Sequence, residues 1–131
     1  KVKRLAGKAD RVLVDAPCTG LGTLRRNPDL KWRQSPAAVE EMVAKQGAIL
    51  AAAARLVRPG GRLVYATCSP LAEENDGIVD AFLAAHPEFR PLSAQEILDK
   101  QGVSLETGER LRMLPHVHDT DGFFAAVMER A

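Results

Sequence analysis

Cys18 and Cys68 are the only cysteines among 131 residues, and each stands just past an apolar run. The first lies in "DAPCTGLGTLRRNPDLKWR" (15–33). There Pro17 precedes it and Gly20 and Gly22 follow, ahead of a basic run that contains Trp32. The second lies in "VYATCSP" (64–70). A thiol can be a small buried hydrophobe or a reactive group. Taken singly, each cysteine reads as core filler. Taken together, at the carboxyl ends of two strands of the same kind, they read as chemistry, because ligands of open α/β sheets bind at that rim. The residues alone leave both readings open.

Other chemistries are harder to build. Two cysteines without a CxxC, and His86, His116 and His118 as the only imidazoles, do not make a four-ligand zinc site of the usual spacing, so no metal is expected. Hydrophobic residues make up 46% of the chain and charged residues 27%, which fits a soluble domain and neither a fibre nor a disordered tail. No apolar run is long enough for a membrane span and the charged start is unlike a signal peptide, so a cytoplasmic protein is expected. The net charge of +1 conceals an asymmetry: residues 1–34 hold nine Lys and Arg against three acids, giving +6, and residues 35–131 hold nine against fourteen, giving −5. The basic end suits a polyanion, or is a solvated charged face.

The elements that must position the thiols follow from the hydrophobic pattern. "RVLVDA" (11–16) and "RLVYAT" (62–67) are short β-branched runs that read as buried strands. Between them, Ser35-Pro36 is an N-cap and first-turn pair. Apolar residues then recur at three- and four-residue steps through Val57, and "RPGG" (58–61) stops the pattern. Ser69-Pro70 is expected to open a second helix, with Ile78, Val79, Phe82 and Leu83 on one face, that closes before Pro87. Ser93-x-x-Glu96 reads as a capping box on a short helix. "RLRML" (110–114) and "GFFAAVME" (122–129) read as strands pairing antiparallel at the end of the sheet. The fold class is therefore α/β: a parallel βαβα unit followed by an antiparallel strand pair, in one domain.

"DAPCTGLGTLRRNPDLKWR" resembles motif IV, and "GGRLVYATCSPLAEEN" motif VI, of the Nop/Sun family of RNA (cytosine-5) methyltransferases. "LPHVHDTDGFF" is similar to that family's last motif, in His118, Thr120, Asp121 and Gly122. The set is most similar to the bacterial Sun/Fmu-type enzymes that methylate 16S ribosomal RNA. The resemblance implies the carboxyl-terminal half of a Rossmann-like fold that uses S-adenosylmethionine as cofactor and small-subunit ribosomal RNA as partner. By the same resemblance Cys68 corresponds to the nucleophile that adds to carbon 6 of cytosine, and Cys18 to the thiol that assists release. Asp15 corresponds to a carboxylate near base and methyl donor. A helix opened at Pro70 would help hold Cys68 as thiolate. Pro17, Gly20, Gly22, Arg25, Arg26, Lys31 and Arg33 fall to substrate binding, the basic side chains through phosphates. Trp32 is expected to pack rather than to stack on a base, and Gly20 and Gly22 serve either close backbone approach or simple turns.

The family's upstream glycine-rich cofactor loop and ribose-binding acid have no counterpart here, since no GxGxxG occurs. Residues 1–131 are thus expected to be a partial catalytic domain, inactive alone. Three alternatives belong to other classes: a thiol hydrolase pairing a cysteine with His116 or His118, a non-catalytic RNA-binding or assembly module, and a DNA-type enzyme with Cys18 as nucleophile.

Overall fold

A computed structural model of the chain describes residues 2–131. Five strands and four helices alternate: β1 (Ala9–Asp15), α1 (Pro36–Ala54), β2 (Val57–Thr67), α2 (Asp76–Ala85), β3 (Phe89–Leu92), α3 (Ala94–Lys100), β4 (Leu111–Met113), α4 (Pro115–His118) and β5 (Phe123–Arg130). The sheet order is β1-β2-β5-β3, with β4 also on β5. β1 and β2 are parallel, so α1 is their crossover, and every pairing of β5 is antiparallel.

The core follows from periodicity. α1 turns Gln46, Leu50 and Ala54 inward at four-residue steps, and α2 buries Ile78, Val79 and Phe82. They pack on Val14, Leu63, Tyr65, Phe124 and Met128 of the sheet, where Tyr65 and Phe124 meet edge to face at 6.5 Å. Ser35 caps α1 by accepting from the Ala38 amide, and Ser93 caps α3 by accepting from the Glu96 amide.

Several expectations are corrected. Leu13 is 69% exposed, because β1 lies at a sheet edge and only the face of Val12 and Val14 is covered. α1 stops at Ala54. β2 already begins at Val57 and accommodates Pro59-Gly60-Gly61 in a register shift, between Ala9↔Val57 and Arg11↔Arg62, with Gly60 at φ +80°. The helix placed at Ser69-Pro70 begins only at Asp76. Side-chain bonds around Ser69, Glu74 and Asn75 hold the intervening residues in turns, and Asn75 Nδ2 donates to the Ser69 carbonyl at 2.7 Å. β3, with Pro91 on a short edge strand, was not expected. β5 lies inside the sheet rather than at its end, as its consecutive buried Phe124, Ala125 and Ala126 require.

Candidate active site

The parallel ladder ends at Asp15↔Ala66, which brings the two following loops side by side. The Sγ atoms of Cys18 and Cys68 lie 3.2 Å apart across these loops, fifty residues apart in sequence. Both thiols are free and half-buried. Burial, and next the hydrogen bond to Cys68, push the Cys18 thiol up to about 12. Cys18 therefore keeps its proton at neutral pH, and either sulfur can be the donor in the contact. No helix start lies at Cys68, because α2 begins eight residues later at Asp76. The expected help from a helix N-terminus is absent for that reason.

Backbone contacts fix the loops. The Gly22 amide donates to the Cys68 carbonyl at 2.8 Å, and the Gly122 amide to the Gly22 carbonyl at 2.7 Å. Gly20 turns the chain at φ +73°, a left-handed conformation that favours glycine. Gly22 is buried with its Cα closed in by backbone of Cys68 and Gly122, so its missing side chain serves loop packing.

Beneath the thiols lies a polar web anchored on Glu74, which is wholly buried. Its carboxylate accepts from the Thr19 amide and the Thr19 hydroxyl, each at 2.8 Å, from Gln46 Nε2 at 3.1 Å and from the Ser69 hydroxyl. Its carbonyl accepts from the Tyr65 hydroxyl at 2.7 Å. Burial, with the Glu74 charge second, raises the Tyr65 pKa, so this hydroxyl stays a donor. Gln46 Nε2 also donates to the Pro17 carbonyl at 2.9 Å, while Gln46 Oε1 is buried without a partner among the described residues. An orphaned acceptor of this kind costs about 1–3 kcal/mol. Thr67 donates to Asn75 Oδ1 at 2.6 Å. Glu74, Asn75, Gln46 and Thr19 were not singled out from the sequence, although an amide on the inward stripe of α1 was the available signal.

The other expected site residues surround this centre unevenly. Asp15 and Pro17 are exposed at the rim, and Asp15 makes no side-chain hydrogen bond or ion pair among the described residues. Arg26 is held by Asp121 at 2.6 Å, and Arg25 lies 3.6 Å from Asp119 and 3.8 Å from Asp121. These pairs tie the basic loop to the turn before β5. Arg33 pairs with Asp29 one helical turn away. Lys31 Nζ lies 4.9 Å over the Trp32 ring, and that indole is 81% exposed, so the expectation that Trp32 packs is corrected. Trp32 ends the short 3-10 turn Pro28–Trp32, none of whose residues is buried. His118 Nδ1 accepts from the amide of Leu114, the residue before α4, at 3.0 Å, a bond that commits this nitrogen to the backbone rather than to a thiol. A cleft of about 530 Å³ opens beside both loops, walled by Leu21, Pro36, Val39 and Leu71 with Glu40 and Glu73 at its margin. Among the described residues no His, Cys, Asp and Glu group could hold a metal ion, and no helix is long and apolar enough to cross a membrane.

The chain is similar to known proteins in sequence and in fold. The chain is 43% identical over 122 residues to the "Probable ribosomal RNA small subunit methyltransferase B" of Synechocystis, covering 93% of this chain and 27% of that protein. The Bacillus subtilis protein of the same name is also 43% identical, over 92% of this chain and 27% of its own. Among solved structures, PH0851 superposes with a TM-score of 0.86 at 41% identity, over 95% of this chain and 27% of that one. NSun6 from Pyrococcus horikoshii, solved with SFG, superposes with a TM-score of 0.76 at 31% identity, over 99% and 33%. The chain thus spans about a quarter of the length of the curated relatives it matches. The family model described as 16S rRNA methyltransferase RsmB/F matches residues 1–129, and a match of that extent across both thiol loops and the final turn makes this chain a member of the RsmB/F family.

Proposed function

We propose that this chain carries the two-thiol centre of an S-adenosylmethionine-dependent RNA (cytosine-5) methyltransferase whose substrate is 16S ribosomal RNA in the cytoplasm. The observation that carries the reading is the 3.2 Å contact between Cys18 and Cys68 at the ends of neighbouring parallel strands. The names of the relatives support the RNA class. The NSun6 structure with SFG, an S-adenosylmethionine analogue, supports the cofactor. Residues 1–131 are read as the carboxyl-terminal part of the catalytic domain, with the cofactor loop in the part of the relatives that the chain does not span.

Carbon 5 of cytosine is a poor nucleophile. Addition of the Cys68 thiolate to carbon 6 forms an S–C bond and turns carbon 5 into the nucleophilic end of an enamine. S-adenosylmethionine, when bound, supplies an electrophilic methyl group. Asp15, an exposed carboxylate without a partner among the described residues at the end of β1, fits a hydrogen-bonding role toward the base or the methyl donor. Once carbon 5 carries the methyl group its proton passes to a water beside Cys18, the ring double bond re-forms, and the electrons of the S–C bond return to Cys68. Cys18, protonated because it is buried, donates to that departing sulfur. Lys31, Trp32 and the rim at Pro17 and Gly20 face the RNA, with Arg25, Arg26 and Arg33 on the same loop.

Mapping 5-methylcytosine in 16S ribosomal RNA from cells with and without the parent gene tests the proposal. A cytosine that loses its methyl group on deletion and regains it on complementation is the expected result. An unchanged map overturns it.

A further inference from the structure

The polar web under the thiols has no part in the steps above, yet its connectivity is specific. Thr19 directly follows Cys18 and Ser69 directly follows Cys68. Both hydroxyls, together with the Thr19 amide, converge on the one carboxylate of Glu74. Gln46 of α1 adds a third anchor, bonding Glu74 and the carbonyl of Pro17, the residue before Cys18. One carboxylate thereby grips both thiol loops and the helix behind them. No cation pairs with Glu74 among the described residues, so its four donors are what make its burial tolerable. An apolar side chain would fill the same space without that demand. It could not fix the direction of each loop, because only the hydrogen bonds specify where Thr19 and Ser69 sit.

We propose that Glu74 is a positioning residue that holds the Cys18 and Cys68 loops at their mutual distance, so that both thiols address one base. The role in catalysis rests on the methyltransferase reading; the distance itself does not. Two measurements on the protein with its upstream cofactor-binding part separate these. The first needs no RNA. Diamide takes two protons and two electrons from paired thiols, forming a disulfide as its own N=N bond becomes a hydrazine, so its rate reports thiol proximity. Glu74→Gln places an amide where donors already converge, and should slow Cys18–Cys68 closure by about tenfold or more, since proximity sets effective concentration. Thr19→Val, which loses one donor at constant shape, should slow it less, and Thr19→Ser should restore the native rate.

The second measurement is the ratio of denaturant-resistant RNA adduct to turnover. Loss of folded protein lowers both together. Misplacement of Cys18 raises adduct per turnover, and that is the expected result for Glu74→Gln. Native closure rates and an unchanged ratio in both Glu74→Gln and Thr19→Val would overturn the proposal. Slow closure in the variants, with no adduct or methylation in the wild type, would instead leave the positioning role and overturn the reaction.

Discussion

Gly22 and Gly122 meet backbone to backbone: the Gly122 amide donates to the Gly22 carbonyl at 2.7 Å, and a Cβ on Gly122 would stand 2.9 Å from the Gly22 Cα. A Cβ on Gly22 would fall 2.5 Å from the Cys68 carbonyl oxygen and closer still to that of Gly122. Backbone on both sides cannot give way as a side-chain tip can. Gly22→Ala should therefore cost about 1–3 kcal/mol or more and part the Cys18 loop from Cys68. Gly47, in the middle of α1, has nothing within 4 Å of an added Cβ. Gly47→Ala should stabilise by about 0.5–1 kcal/mol. Urea denaturation of both variants checks the contrast, and equal midpoints would contradict it.

The thiols should fail differently when removed. In the complete enzyme Cys68→Ala should abolish methylation and any covalent RNA species, because no bond to carbon 6 can form. Cys18→Ala leaves Cys68 able to attack but removes the thiol whose sulfur lies 3.2 Å from that of Cys68. Adduct carrying the new methyl group should then accumulate while turnover stops. A denaturing gel with labelled RNA and labelled cofactor reads both. Adduct trapped by Cys68→Ala and missing from Cys18→Ala would exchange the roles, as in the DNA-type arrangement.

What could be read from the residues was what periodicity and strand ends control. Leu50 in α1, Ile78 and Phe82 in α2, and the β-branched runs 11–16 and 62–67 made the sheet and its two covering helices legible, and with them the rim that holds both thiols. Features set by side-chain hydrogen bonds were not legible. Ser69-Pro70 has the form of a helix start, but Ser69 spends its hydroxyl on Glu74, and α2 waits until Asp76. Glu74 itself reads as one more acid beside Glu73, since a carboxylate is seldom fully buried. Leu13 and Trp32 escaped because exposure of large apolar side chains cannot be inferred from an apolar run or a lone indole.

Cofactor binding tests the division of the catalytic domain. Asp15 is the one cofactor residue expected within 1–131, and no glycine-rich phosphate or ribose loop accompanies it. The isolated chain should bind S-adenosylmethionine too weakly for calorimetry to detect at micromolar concentration and should not methylate RNA. Micromolar binding by the chain alone would mean that the cofactor site lies within these residues.

Asp76 at the start of α2 is a pH-dependent fastener for β4. Hydrogen bonds from Arg112 at 2.7 Å and Arg110 at 2.6 Å, the Arg112 bond counting most, hold its carboxyl below the ordinary range. Since the folded value is the lower one, the stabilisation is present above the unfolded value, about 4, and is lost as pH falls through the folded one. Asp76→Asn should lower stability at pH 7 by about 1 kcal/mol, discounted for partial exposure. The gap to wild type should close on acidification below pH of about 4. A constant gap across that range in urea titrations would assign the loss to packing.

Charges on the basic loop should contribute unequally to RNA binding, because acids of the same chain already hold some of them. Lys31 lies over Trp32 and has no ion-pair partner among the described residues. Lys31→Ala in the complete enzyme should flatten the dependence of log affinity on log salt by about 0.7–0.9, the value of one phosphate contact. Arg26 is bound to Asp121 at 2.6 Å and Arg33 to Asp29, so a phosphate must displace a carboxylate before either releases a counterion. Arg26→Ala and Arg33→Ala should change the slope by less. Asp121→Asn makes the opposite prediction: it frees Arg26 and loosens Arg25, and should steepen the slope and tighten binding at low salt. Filter binding across a salt series distinguishes the variants. Four identical slopes would return the loop to a solvated charged face.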